Sequence, residues 1–474
     1  MSRRRKVTIN SLIMGCQHLA VNVISIFVVG YVARKLGETD YGVFSLAFTF
    51  PQFFTVIGNL GTRSITIREI AGNKDKGIDF LGSILPLRIV LLINMLLVVP
   101  VAAFVFGYTG EVLLVITLAT ASVVVDLLAR VIYDVFQAYE KIGRLALRDV
   151  AVRLFTGILS VILLFQGYGL VTVCCIYLSG SLLGLIINLF VYNKQFPWPK
   201  ISYDHDTAKR ILRMSLPFAL TGFISIVYMK IDIFMLSKIV GNAQVGIYNA
   251  AANLIYRLTF VADVIATAAF PAISQLYWTD RKNVYKIFNE SLLRLIILSL
   301  PIAVGGVLLA EPIIDLIYGS EYTQSVIVLK VLICSVPFLF LNMLFCYSLG
   351  AIKKQKVVLY VSLILVVVNI GLNYFLIPIL SVRGAASATL VTEILGVVLY
   401  GFIVGPIFKY RPSYRNYMAL SVAVLVMIAT YVLLNKTCLL IVFVMMSFSF
   451  IVVFSLLASE GYNLMKIISK ANKT

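Results

Sequence analysis

The sequence predicts an all-α polytopic membrane protein with about fourteen transmembrane helices. Its 474 residues are 61% hydrophobic and only 13% charged, so a water-soluble fold would expose far too much apolar surface. Apolar runs of about 20 residues, the length that crosses the hydrocarbon core, recur along the whole chain. A twelve-residue segment near the start also recurs in the second half, which predicts that one membrane-spanning unit is used twice.

Fourteen apolar runs are the candidates for these helices. The links between them are short, and the longest polar link, 194–213, cannot form a domain of its own. The basic start MSRRRK leads into a run long enough to span, so we expect no cleavable signal peptide. The predicted spans are 10–33, 41–61, 80–106, 111–136, 146–167, 170–193, 210–239, 243–272, 288–316, 323–350, 356–378, 384–408, 416–434 and 437–459.

The distribution of positive charge predicts the orientation. If the N-terminus is cytoplasmic, most of the 40 basic residues fall in every second link and in the C-terminal tail, as the positive-inside rule requires. The alternation therefore predicts cytoplasmic N- and C-termini in the cell membrane. Basic links that face anionic lipid account for the net charge of +19, and no nucleic-acid partner is expected.

The recurring segment indicates an internal duplication. LGETDYGVFSLA at 36–47 corresponds to VGNAQVGIYNAA at 240–251, and Gly42 is matched by Gly246. Six predicted spans separate the copies, so both enter the membrane from the same side and the repeats are parallel. In a polytopic membrane protein this favours a transporter whose substrate site lies between the copies.

The duplication predicts three regions in the chain. Two parallel six-helix lobes come first, and an extra helix pair with a cytoplasmic tail lies outside them. The N-terminal lobe is 1–204, the C-terminal lobe is 205–412, and the extra pair and tail are 413–474.

Basic side chains inside apolar runs are the candidate substrate-binding residues, because an unpaired charge in mid-bilayer costs from a few to more than about 10 kcal/mol. Lys230 and Arg257 lie deep in adjacent spans of the second unit, and we expect them to line a cavity. Arg88 and Arg294 correspond in the repeat, and for them a cavity role and a structural pair stay open. A cavity lined by such groups favours an anionic substrate, because guanidinium and ammonium groups match phosphate oxygens.

Other polar residues in the spans are candidates for a coupling-ion site or for charge pairs. Asp232 lies close to Lys230, and the two align with Val28 and Ile26 of the first copy, so only the second copy carries these charges. Asp126, Arg130 and Asp134 follow one another at four-residue steps on one helical face, where Asp126 and Arg130 could neutralise each other. The full set of candidates for these roles is Asp232, Asp263, Asp126, Arg130 and Asn59, the last of which corresponds to Asp263. Asp134, Glu290 and Lys330, close to span ends, are expected to form structural pairs or to reach the interface.

Several kinds of chemistry have no signature in the chain. The six cysteines lie in or at the ends of apolar spans without metal-ligand spacing, so we expect no disulfide framework, metal or cofactor. No phosphate-binding loop of the G-x-x-x-x-G-K-[ST] type is found, so direct ATP drive is not expected. No nucleophile-and-base constellation lies outside the membrane, and the chain is not expected to be an enzyme.

Two stretches resemble polysaccharide-biosynthesis flippases, the Wzx-like members of the multidrug/oligosaccharidyl-lipid/polysaccharide exporter superfamily. YVARKLGETDYGVFSLAFTFPQFF at 31–54 is similar to their first-to-second-helix region, and MSLPFALTGFISIVYMKIDIFMLSKIVGNAQVGIYNAA at 214–251 is similar to their seventh-helix signature. The matching residues of the signature are Pro217, Lys230, Asp232, Gly241, Gly246 and Tyr248.

The resemblance implies a MATE-like, V-shaped pair of six-helix lobes around a central cationic cavity. It implies that the chain moves polyprenyl-pyrophosphate-linked oligosaccharide, on an undecaprenyl or dolichyl carrier, from the inner to the outer leaflet by alternating access. The basic groups would hold the pyrophosphate and sugar while the lipid tail stays in the bilayer. The gradient that drives transport stays open, with H⁺ or Na⁺ as candidate coupling ions.

Two other functions stay open. A multidrug or cation antiporter of the same superfamily is the nearer one, but such proteins typically have twelve spans and cavities suited to cationic drugs. A membrane glycan polymerase or ligase is the other, but such enzymes usually need a large external loop with catalytic residues. The extra spans and the deep basic groups favour the flippase over the antiporter, and the shortness of the external links, none of which exceeds about a dozen residues, favours it over the enzyme.

Overall fold

The computed structural model describes residues 3–202, 205–409, 414–434 and 439–457, with their side chains except those of 3–20, 23, 142, 144, 146, 147, 205–207, 217, 218, 439 and 440. Over these residues the chain is helical nearly throughout and contains no β-strand, which confirms the all-α prediction. The helices are α1 (Arg3–Phe53), α2 (Thr55–Asn59), α3 (Thr62–Gly72), α4 (Gly77–Val105), α5 (Gly110–Ala138), α6 (Ala146–Phe165), α7 (Leu170–Asn193), α8 (His205–Ile239), α9 (Asn242–Leu276), α10 (Arg281–Leu308), α11 (Ala310–Tyr318), α12 (Thr323–Ile333), α13 (Val336–Ala351), α14 (Gln355–Leu380), α15 (Val382–Phe408), α16 (Tyr414–Leu434) and α17 (Leu439–Leu457).

The length and apolar composition of the helices are those of a multi-pass membrane protein. Within the described residues, nine are long and apolar enough to cross a membrane. Two bent helix pairs meet the same criteria of length and composition when each pair is taken together, namely Ile24–Phe53 with Thr55–Gly72 and Ser320–Ile333 with Val336–Ala351, each bent by 45°. In the part of the chain that the structure describes, every predicted span falls on a helix or on two consecutive helices, so the helix count is broadly consistent with the predicted fourteen spans. Residues 437, 438, 458 and 459 of the last predicted span lie outside the described residues.

The first glycine of the recurring segment breaks the helix in both copies. Gly37 has a φ of 75° inside α1, and Gly241 has a φ of 97° between α8 and α9. Both lie in the left-handed region, which glycine adopts without the steric cost that a Cβ would add. The predicted span 10–33 therefore lies in the part of α1 before Gly37, and the predicted span 41–61 begins in the part after Gly37 and continues through α2.

The second glycine brings the two copies of the segment into contact. A Cβ at Gly42 would overlap the carbonyl oxygen of Asn242, and a Cβ at Gly246 would overlap the carbonyl oxygen of Glu38. Glu38 and Asn242 occupy equivalent positions in the two copies, so the contact is reciprocal. We call this contact, made by Gly42, Gly246 and the two carbonyl groups, the glycine crossing.

The chain folds as two compact units, Met1–Asn249 and Ala250–Thr474. The core of the first unit includes Ile84 of α4 and Phe136 of α5. In the second unit α16 and α17 pack on α10, as the buried cluster of Leu293, Ala423 and Phe450 shows. The two units are the parts of the chain that contact themselves most extensively, whereas the predicted lobes are defined by the repeat. The lobe boundaries stay a prediction.

Candidate transport site

The signature of α8 carries two charged residues that lie on different sides of the helix. Residues two apart in an α-helix are separated by about 200° around its axis. Asp232 is 4% exposed, whereas Lys230 is partly exposed. The two are nevertheless within electrostatic reach of each other.

Asp232 is held by hydrogen bonds to both carboxylate oxygens. Its Oδ1 accepts from the backbone N–H of Ile233 at 2.8 Å. Its Oδ2 accepts from the hydroxyl of Tyr248, in the first turns of α9. Tyr248 is 1% exposed, so this contact between α8 and α9 is buried within the first unit.

Arg257, just beyond the signature, is the other deep basic residue that the sequence predicts to line a cavity. It lies near the middle of α9 and is partly exposed, within the second compact unit, whereas Lys230 belongs to the first. The shared role predicted for the two side chains stays a prediction.

Arg88 lies in a buried ion-pair cluster of the first unit. Its Nη2 is 3.3 Å from Oδ2 of Asp134 and 3.2 Å from Oγ1 of Thr66. Arg63 of α3 contacts the other carboxylate oxygen of Asp134, with its Nε 3.0 Å from Oδ1. The side chains of Arg88 and Asp134 are 4% and 0% exposed, so a single buried carboxylate joins α3, α4 and α5.

Arg294, the repeat equivalent of Arg88, is in a different environment. Its side chain is 56% exposed, and its Nη2 is 3.1 Å from Oε2 of Glu290 one turn earlier in α10. Of the two arginines that the repeat relates, one is buried in a three-helix cluster and the other forms an exposed pair within its own helix.

The charged residues Asp126, Arg130 and Asp134 of α5 do not share one environment. Asp126 forms an ion pair with Arg148 of α6, whose Nη2 is 3.4 Å from Asp126 Oδ1, rather than with Arg130, which is exposed. Asp134 is buried against α3 and α4 instead. The reason is geometric, because each four-residue step turns about 40° beyond a full turn, and two such steps reach different neighbours.

Asp263 and Asn59, equivalent in the repeat, each accept a hydrogen bond from a hydroxyl. Tyr347 of α13 donates to Asp263 Oδ1 at 2.6 Å, within the second unit. The hydroxyl of Thr62 is 2.6 Å from the carbonyl oxygen of Asn59 and 3.1 Å from its Oδ1, so Asn59 supports the turn between α2 and α3.

A polar contact that the sequence did not single out joins α13 to α15. Asn342 donates through Nδ2 to the carbonyl oxygen of Glu393 at 2.9 Å and to its Oε2 at 2.7 Å. A Cβ on Gly396, less than one turn along α15, would lie 2.7 Å from that same Nδ2. Glu393 is 4% exposed, and its depth in a predicted span was the available signal.

The partners that sequence reasoning missed are mostly hydroxyl and amide groups. Tyr248 lies inside the recurring segment, where Phe44 occupies the same place in the first copy, and that difference was the signal that could have revealed it. Tyr347 and Asn342 carry no such signal, since neither charge nor repeat marks them. Over the described part of the chain, no group of three or more His, Cys, Asp or Glu is arranged to hold a metal ion.

Comparison with known proteins places the chain in a family. A family model described as polysaccharide biosynthesis protein matches residues 7–277, which is more than half of the chain. The chain belongs to the polysaccharide biosynthesis protein family. Both copies of the recurring segment, the glycine crossing and the Asp232–Tyr248 contact lie within the residues matched by this family's model. A second model, MatE, matches residues 217–375.

Two relatives and one solved structure are similar to the chain over most of its length. A putative O-antigen transporter of Shigella flexneri is 24% identical over 390 residues, which cover 80% of this chain and 92% of the relative. A probable flippase, AglR of Haloferax volcanii, is 23% identical over 381 residues, covering 78% and 77%. The structure of lipid II flippase MurJ in an inward closed conformation matches 96% of this chain and 99% of its own, with a TM-score of 0.76 and 18% identity. The fold is therefore MurJ-like, and the names of these proteins fit transport rather than catalysis.

Proposed function

We propose that the chain is a flippase that moves lipid-linked glycan units across the membrane for surface polysaccharide assembly. The observation that carries the proposal is that a member of the polysaccharide biosynthesis family folds like a flippase over 96% of its length. The substrate we propose is a polyprenyl-pyrophosphate-linked oligosaccharide, carried from the cytoplasmic to the outer leaflet by alternating access.

Lys230 and Arg257 are the residues we assign to the pyrophosphate. Both lie in the interior of long apolar helices and keep partial exposure, as a group that meets a charged substrate must. Arg294, which is exposed, is a further candidate contact. Arg88 is already engaged by Asp134, and for it we favour a supporting role.

The orientation and the energy source complete the proposal. The chain lies in the cell membrane with cytoplasmic N- and C-termini, because most basic residues then fall on the cytoplasmic side. The six-helix lobes 1–204 and 205–412 carry the transport path, and 413–474 is an accessory pair and tail. A gradient of H⁺ or Na⁺ drives transport. Asp263 is a candidate carrier of the ion, because its carboxylate accepts a hydrogen bond from Tyr347 and the residue is partly exposed.

A multidrug or cation antiporter is the second candidate function. The match of the MatE model to residues 217–375 favours it, since that model describes the same superfamily. The family match over the first 277 residues and the deep basic groups weigh against it, because a basic cavity repels cations. No observation favours the third function, a glycan polymerase or ligase.

The test replaces Lys230 and Arg257 with glutamine, singly and together, in a strain that depends on this chain for its surface polysaccharide. Glutamine keeps hydrogen-bonding capacity but removes the charge that binds a pyrophosphate. We expect glycan output to fall at least about tenfold, since loss of a charge-assisted contact costs about 1.5–3 kcal/mol. The output is measured as surface polysaccharide per cell, normalised to the amount of inserted protein.

The matched control is Lys356→Gln, which removes an exposed charge and is expected to leave output unchanged. Lys230→Arg keeps the charge and should retain part of the output. Normal output from a stably inserted Lys230→Gln/Arg257→Gln chain would refute the assignment of these residues. If deletion of the chain leaves surface polysaccharide intact but sensitises cells to cationic drugs, the antiporter replaces the flippase.

A further inference from the structure

The buried contact between Asp232 and Tyr248 is made in only one copy of the repeat. The correspondence that relates Gly42 to Gly246 also relates Val28 to Asp232 and Phe44 to Tyr248. The first copy thus has two apolar residues where the second has a hydrogen-bonded pair. Both apolar residues lie in α1, so the first copy is helical at these positions without a polar pair.

Burying two polar groups carries a desolvation penalty, so a buried polar pair in only one of two equivalent copies requires an explanation. Breaking one partner leaves a desolvated polar group, whereas removing both partners in favour of apolar groups is nearly neutral. Asp232 and Tyr248 are both almost fully buried, at 4% and 1% exposure. The second copy therefore has a buried polar contact where the first copy of the same chain has two apolar residues.

The geometry of α8 connects this contact to Lys230. Asp232 faces α9, where its carboxylate accepts a hydrogen bond from the Tyr248 hydroxyl. A rotation of α8 about its own axis would break this hydrogen bond. Lys230 is two residues earlier and about 200° around the helix, so the same contact directs it to the opposite side of α8. Like Asp232, Lys230 is a charged residue that the first copy lacks, with Ile26 in its place.

We propose that Asp232 and Tyr248 form a pin that fixes the rotation of α8 and thereby aims Lys230 at the anionic group of the substrate. Asp232 is then a positioning residue, and its role needs a hydrogen-bond acceptor rather than a negative charge. The inference rests on the proposed function, because it takes Lys230 as a substrate contact.

Three variants separate the pin from a role of Asp232 as an ion carrier. Asp232→Asn retains an amide that can bond to the Tyr248 hydroxyl, and we expect glycan output within about threefold of the parent. Asp232→Val and Tyr248→Phe each remove one partner and should lower output at least about tenfold. If Asp232→Asn is as inactive as Asp232→Val, the charge is what matters and the pin is refuted.

The double variant Asp232→Val/Tyr248→Phe separates positioning from folding. It reproduces the residues of the first copy, so the amount of inserted protein should recover relative to either single variant while glycan output stays low. Recovery of both quantities would show that the pair serves folding alone and would overturn the proposal. Tyr108→Phe is the matched control, since it removes a different phenol that bonds to α8, at Ser237 with 3.1 Å between the oxygens, and it should leave output unchanged.

A second readout reports the position of residue 230 without relying on transport. In a Lys230→Cys chain whose six native cysteines are replaced, residue 230 is labelled in membranes with a small charged methanethiosulfonate reagent. We expect the labelling rate to change at least about fivefold in the Asp232→Val/Tyr248→Phe background and to stay unchanged with Asp232→Asn. A labelling rate that stays unchanged in the Asp232→Val/Tyr248→Phe background refutes the pin. Normal glycan output from Lys230→Gln would refute only the proposed role of Lys230 as a substrate contact.

Discussion

The charged residues inside the apolar helices are positioned by specific partners. Asp134 is fully buried and is shared by Arg88 and Arg63, which confirms the expectation that it forms a structural pair. A buried ion-pair cluster gains little net stability, but removal of one partner is costly because the remaining charge stays buried without compensation. The cluster therefore makes α3, α4 and α5 depend on one another through a few atoms.

Substitution of Asp134 should destabilise the first unit strongly. In Asp134→Asn the guanidinium of Arg88 stays buried without a counter-charge, which costs about 3–5 kcal/mol. The measurement is the thermal midpoint of unfolding of the purified protein in detergent. Arg88→Met/Asp134→Leu, which removes both charges, should recover most of that loss.

The repeat supplies the control for this prediction. Glu290→Gln breaks the exposed pair with Arg294, and we expect a change below about 1 kcal/mol. Equal destabilisation by Asp134→Asn and Glu290→Gln would contradict the importance of burial. The sequence marked Arg88 and Arg294 as equivalents, but their difference in burial arises from neighbours on other helices and could not be predicted from the repeat.

Among the helices, close approach at small residues decides which polar groups meet. Hydropathy predicted the positions of α13 and α15, because apolar runs are encoded locally. It did not predict that Asn342 would bond to Glu393, because that contact depends on how closely the two helices pack. Gly396 is the residue of α15 that leaves room for the Asn342 amide.

Gly396→Ala should push Asn342 away from Glu393. The added Cβ would lie 2.7 Å from Asn342 Nδ2, and overpacking of this kind costs about 1–3 kcal/mol. Gly401→Ala, in the same helix with no atom within 4 Å of the added Cβ, is the control and should be neutral or slightly stabilising. Both are compared by thermal unfolding in detergent, and a loss of stability in Gly401→Ala equal to that in Gly396→Ala would count against the packing explanation.

For the molecule as a whole, the main organising feature is the duplication. The sequence predicted two parallel copies from matched residues and an even number of intervening spans. It could not predict that Gly42 and Gly246 contact each other's copy, because spacing along the chain carries no information on which helices cross. The family match and the MurJ-like fold confirm the fold class and the resemblance, while the residues assigned to the substrate stay proposals.

The glycine crossing should tolerate no added side chain in either copy. In Gly42→Ala or Gly246→Ala the new Cβ meets a backbone carbonyl, which cannot rotate away, so a cost of about 3 kcal/mol is expected. Because the contact is reciprocal, the two single variants should be similar, and the double variant should cost less than their sum. Thermal unfolding measures all three, with Gly222→Ala as the control because no atom lies within 4 Å of its added Cβ.

An additive double variant, or one silent single variant, would show that the two glycines act independently. Either result would contradict the reciprocal contact.

The reciprocity of the glycine crossing has a consequence for the origin of the chain. A contact in which Gly42 meets Asn242 and Gly246 meets Glu38 has the form of an isologous dimer interface, where each subunit offers the same patch to the other. The sequence predicts that both copies enter the membrane from the same side, so a half-length ancestor would have met a second copy of itself through this glycine without inverting its topology. Fusion of the two genes would then have freed the copies to diverge, and a pair such as Asp232 and Tyr248 could arise in one copy alone.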